Sequence, residues 1–119
     1  MACWAPNHHR TEPWRFAVFT GEGRRRLGET LAELLEAEGR DPSKVAKSRT
    51  KYLRAPAMIV VGSAAGEHTV QTAENRDATA AGVQNLLLAA TSAGLASFWS
   101  SIAPNDAPAL LELCGFESD

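Results

Sequence analysis

Cysteine is scarce in this 119-residue chain, with only Cys3 and Cys114. Their separation matches no metal-ligand spacing and implies no disulfide framework, though it leaves a single bridge open. Long apolar runs are missing too, and nothing approaches the ~18 residues of a membrane helix. Neither sign of charge dominates: 12 basic and 14 acidic residues give a net charge of -2. That balance argues against a phosphate backbone as partner. No P-loop, GxGxxG or GxSxG elbow occurs, so nucleotide-cradling loops and esterase-type nucleophiles are not indicated. Internal repeats and low-complexity tracts are absent. With few cysteines and no charged-then-apolar leader, a reduced cytoplasmic protein is the expectation.

What remains is ordinary globular composition, 45% hydrophobic and 22% charged, of a length that suits one domain. The most distinctive stretch is residues 4–19, WAPNHHRTEPWRFAVF. Pro6, Asn7, Thr11 and Pro13 predict a loop over residues 5–13, and residues 14–20 alternate as a strand. Residues 24–38 place Leu27, Leu31, Leu34 and Leu35 at helical spacing, with Gly39 as the stop. Arg24, Arg25 and Arg26 read as its solvated start. Asp41-Pro42 predicts the cap and first residue of a helix to about residue 51. Residues 57–63, AMIVVGS, read as a central strand covered on both faces. Residues 70–93 predict a long helix with a stripe through Ala73, Ala80, Val83, Leu87, Ala90 and Gly94. Its second half is apolar nearly all round, so it packs either on its own chain or on a second subunit. Residues 95–102, LASFWSSI, alternate as a third strand. A short helix over residues 107–114 follows, closed by Gly115.

Side chains suited to acid–base chemistry are few. His8 and His9 are adjacent, so in an extended turn they point apart and make a poor metal-ligand pair. His68 has no partner nearby in sequence. Glu12 reads as a cap for local amides. No catalytic acid, base or nucleophile stands out, which fits a binding module or an enzyme whose chemistry a cofactor carries.

Three stretches carry a family resemblance: APNHHRTEPWRFAVFTGEGRRRLGETLAE, YLRAPAMIVVGSA and GVQNLLLAATSAGLASFWSS. In order and spacing they resemble the nitroreductase family, above all its small single-domain branch of NAD(P)H nitroreductases. The resemblance implies an α+β fold, a mixed sheet flanked by helices, with a long central helix at a homodimer interface. It implies an FMN flavoprotein at that interface, an oxidoreductase taking hydride from NADH or NADPH. Electrons would pass to nitroaromatics, quinones or similar acceptors in a ping-pong cycle. By position, Trp4 and His8 fall on the loop that reaches the partner's flavin, and Trp99, Ser100 and Ser101 fall on the segment lining it. Ala89, Ala90, Thr91, Ser92, Ala93 and Gly94 match the helix end associated with the nicotinamide cofactor. Pro13 and Trp14 would be structural.

Two departures accompany the resemblance. The family opens with an Arg-Arg-Ser helix that grips the flavin phosphate, and this sequence begins after it. Close relatives carry arginine where Ser100 stands and a basic residue where Trp4 stands. The expectation is a fragment lacking that helix and a carboxy-terminal strand. The alternative is a non-catalytic module of the same fold that binds no flavin.

Overall fold

The computed structural model describes residues 1–117. The elements, in order, are β1 (Trp14–Thr20), α1 (Glu22–Ala37), α2 (Pro42–Lys51), β2 (Ala57–Ser63), α3 (Thr69–Ser92) and α4 (Pro108–Cys114). Two short 3-10 turns, Ala2–Trp4 and His8–Arg10, precede β1. The architecture is α+β. β1 pairs with β2 in a two-stranded sheet. The Ala64 amide donates to the Pro13 carbonyl at 2.8 Å, so the start of β1 lies beside the end of β2 and the strands run antiparallel.

Two expectations fail here. Residues 95–102 form no strand and no other regular element among the described residues. Alternation records which side chains tolerate a pleated surface; a strand also needs a neighbouring backbone, and none pairs with this one. β2 is not covered on both faces either. Its residues are half-buried or exposed, with Ile59 at 41% exposure.

The chain divides into two compact units, and both strands contribute to each. The unit built from residues 16–60 and 101–117 holds the main apolar core. Phe19, Leu27, Leu31, Tyr52 and Leu110 are buried together, with Met58, Val60, Ile102 and Leu113 packed against them. Leu27 and Leu31 lie one helical turn apart, which puts both on the inner face of α1. Gly28 lies beside them, where α1 and α2 meet. A Cβ there would stand 2.7 Å from the Arg49 carbonyl oxygen and 2.9 Å from that of Ser48. These obstacles are backbone and cannot rotate away. Gly28→Ala is therefore expected to push the two helices apart and cost about 1–3 kcal/mol, read as a lower urea midpoint.

Arg24 departs from the solvated arginine triplet that the sequence suggests. It is half-buried and donates from Nη1 to the carbonyls of Leu53 (3.2 Å) and Ala55 (2.5 Å). Those carbonyls follow α2 and have no helical donor, so the guanidinium supplies one. α2 begins on Asp41, whose carboxylate accepts from the Ser43 amide at 2.8 Å. That bond holds the Asp41 carboxyl below its ordinary value.

The other unit comprises residues 1–15 and 61–100. Its spine is α3. The buried positions are Asn75, Ala78, Thr79, Gly82 and Val83. Val83 lies on the stripe read from the sequence, whereas Asn75, Ala78, Thr79 and Gly82 are buried off it, Gly82 where it admits the chain's first turn. A Cβ on Gly82 would lie 3.1 Å from the Ala2 carbonyl oxygen. Ala2 and Ala5 are buried in that turn, while Cys3 and Trp4 face outward, Trp4 being 86% exposed. His68, without a role in the sequence, caps α3: its Nδ1 accepts from the Gln71 amide at 3.2 Å. α3 closes at Gly94, φ 78°, with the Leu95 amide donating to Ala90 and the Gly94 amide to Thr91. Glycine takes this left-handed turn without a Cβ penalty. Cys3 and Cys114 are free thiols.

Candidate functional site

The sequence between Pro6 and Trp14 folds into a loop that no regular element could supply. His9, Arg10 and Glu12 have φ of 63°, 53° and 46°, all in the left-handed region that non-glycine residues rarely enter. Each such residue costs on the order of 1 kcal/mol, so something must hold them there. A chain of polar contacts does. Asn7 accepts from the Glu12 amide at 2.7 Å and donates to the Thr11 hydroxyl at 3.1 Å. Thr11 donates to Asn75 Oδ1 at 2.6 Å, and Asn75 Nδ2 donates to the Ala64 carbonyl at 3.1 Å. Asn75 is 2% exposed. The loop is thus fastened to α3 and to the end of β2 through one buried amide. Pro13, fully buried, fixes the exit into β1, as its position suggested. Trp14 is half-buried.

The same geometry overturns two expectations. His8 and His9 do not point apart: their ring centroids lie 3.9 Å from each other with planes tilted by 30°. The left-handed backbone at His9 turns the chain back on itself, whereas extended backbone would have splayed the rings. Glu12 does not cap amides; its own amide is the one being satisfied. Sequence reasoning also missed Glu74. It lies next to Asn75 on α3, and its Oε1 is 2.9 Å from His8 Nδ1. No local pattern could link residues 66 positions apart.

The remaining assigned residues lie at and beyond the end of α3. Ala89 and Ala90 are half-buried, while Thr91, Ser92, Ala93, Gly94, Trp99 and Ser100 are exposed. Thr91 spends its hydroxyl on the Leu87 carbonyl at 3.1 Å. Ser101 is exposed and opens the other unit. Among the described residues no hydrogen bond, ion pair or ring contact joins Trp4 or His8 to Trp99 or Ser100. The segment nonetheless presents Leu95 (63% exposed), Phe98 (84%) and Trp99 (61%) outward in succession.

Comparison with known proteins places these features in one family. The nitroreductase family model matches residues 1–119. "Putative NAD(P)H nitroreductase YdjA" of Escherichia coli (strain K12) is 33% identical over 112 residues, 93% of this chain and 61% of that protein. "Putative NAD(P)H nitroreductase YfhC" of Bacillus subtilis (strain 168) is 31% identical over 103 residues, covering 84% and 53% respectively. The crystal structure of a nitroreductase-like family protein from Bacillus cereus superposes with a TM-score of 0.74 at 34% identity, over 98% of this chain and 62% of that one. The chain thus spans about three fifths or less of the length of these relatives. With the family matched from end to end and the fold shared, the chain belongs to the nitroreductase family.

Proposed function

We propose that this chain is the flavin-handling portion of an FMN-dependent oxidoreductase that passes electrons from NAD(P)H to nitroaromatic, quinone or similar acceptors. The observation that carries the reading is the outward display of Phe98 and Trp99 behind α3 in a chain matched throughout by this family. Flat apolar side chains at high exposure suit an isoalloxazine ring, and the hydroxyls of Ser92 and Ser100 suit its polar edges. His8 would hold the ring edge by a hydrogen bond from its Nε2, since Nδ1 faces Glu74. A carboxylate on one ring nitrogen fixes the orientation of the other. FMN, when bound, supplies hydride acceptance and electron transfer, which explains why no acid–base pair stands out. The protein's part is to orient the ring, exclude water and admit the nicotinamide near residues 89–94.

Two copies would share the site in a homodimer. Leu88, 57% exposed on α3, and Leu95 support that arrangement, since both lie beside the assigned residues. No helix among the described residues is long and apolar enough to cross a membrane.

None of the assigned residues carries a permanent positive charge, so the phosphate is weakly met. This favours, as a second reading, a module of the same fold that binds no flavin. Flavin titration separates the two. Under the oxidoreductase reading the protein quenches FMN fluorescence on binding and, with NAD(P)H, reduces a quinone. Ser100→Arg is then expected to tighten FMN binding by roughly tenfold or more, the worth of one charge-assisted hydrogen bond. No quenching by either form, with the fold intact by circular dichroism, leaves the second reading.

A further inference from the structure

We infer that His8, His9 and Glu74 form a binding site for a divalent transition-metal ion of the zinc–nickel–copper group. Each of the three offers one ligand atom, and these atoms all lie within 4.8 Å of one another. Ligands of a tetrahedral ion with bonds of ~2.1 Å lie ~3.4 Å apart; His8 Nδ1 and Glu74 Oε1 are 2.9 Å apart, and all three ligand atoms lie within 4.8 Å. Rotation of the exposed imidazoles makes both adjustments. The donor chemistry selects the ion. Two imidazoles and one carboxylate suit zinc, nickel or copper, whereas magnesium and calcium require oxygen ligands.

The site is built before any ion arrives. Asn75, adjacent to Glu74, holds Thr11 from the buried side, and Asn7 closes the loop on itself. The left-handed turn at His9 then stacks the second imidazole beside the first. A shared cation would take one nitrogen from each imidazole and one oxygen from Glu74. Open positions on the ion would be filled by water, since His8 and Glu74 are 63% and 36% exposed at their side chains.

This assignment does not rest on flavin binding, and His9 is not among the residues given to the flavin. Isothermal titration of the full chain with ZnCl2 is the test, with MgCl2 as control and circular dichroism to monitor folding. One zinc per chain and no magnesium heat are expected. His9→Asn keeps a residue that tolerates the left-handed turn but removes the imidazole. Glu74→Gln keeps the shape but removes the charge. Each should weaken zinc by about tenfold or more, as even the loss of a supporting partner does at metal sites. His9→Asn should leave FMN quenching unchanged. His68→Ser, which keeps a capping oxygen on α3, should bind zinc as the parent does. Absence of stoichiometric zinc binding overturns the inference. So does zinc binding that survives both substitutions, or that is lost with His68→Ser alone.

Discussion

Leu27→Ala is expected to lower the unfolding free energy by about 2–5 kcal/mol, measured by urea denaturation followed by far-UV circular dichroism. Leu27 has no exposed surface and belongs to a buried cluster drawn from three elements and a helix end: Phe19 on β1, Leu31 on α1, Leu110 on α4, and Tyr52 just after α2. Truncation removes contacts within it, and neighbours held by separate elements cannot collapse together into the gap. That places the substitution toward the upper part of the range. Melting temperature should fall by roughly 4 °C for each kcal/mol lost. Glu33→Ala, on the exposed face of the same helix, serves as the control and should stay within about 0.5 kcal/mol. Equal losses from both substitutions would mean that core packing does not govern the effect.

The second large effect is expected at Asn75. Asn75→Leu keeps the branch at Cγ but strips both polar contacts of a side chain that is 2% exposed. The Thr11 hydroxyl loses its acceptor and the Ala64 carbonyl its donor. Two orphaned groups cost about 1–3 kcal/mol each when desolvated, less whatever water reaches them, so a loss of about 2–4 kcal/mol is expected. Thr11→Val removes the bond to Asn75 and the one from Asn7 and should cost about 1–2 kcal/mol. The double variant should fall short of the sum, because the two residues share one contact. Strict additivity would show that the Thr11–Asn75 bond contributes nothing. Asn75→Leu should also weaken zinc binding, since the loop that carries His8 and His9 is held through it.

The regular elements were largely legible. β1 and β2 fall on the runs that their β-branched and aromatic residues marked, and α2 begins where Asp41-Pro42 predicted. These are local signals, decided by residues within a few positions of one another. The third strand failed because alternation over residues 95–102 says nothing about a pairing partner. The buried face of α3 was partly displaced because Ala2, eighty positions away, packs on Gly82. At the site, the resemblance of the Trp4–His8 segment to its family could be read directly. The stacking of His8 on His9 could not, since it follows from a left-handed φ in a residue that is not glycine. Glu74 and Asn75 were invisible for the same reason as Ala2: their partners are distant in sequence.

The left-handed run at His9, Arg10 and Glu12 also bears on how this loop can vary. Glycine at Arg10 or Glu12 would relieve about 1–2 kcal/mol of backbone energy, returning part of it to the larger freedom of the unfolded chain. Such variants should persist in any screen for thermal stability. They would do so while releasing the imidazoles from their shared orientation. Selection for stability alone and selection for ligand placement therefore pull this loop in opposite directions, and laboratory evolution for heat resistance should erode the histidine pair's orientation before it touches the core around Leu27.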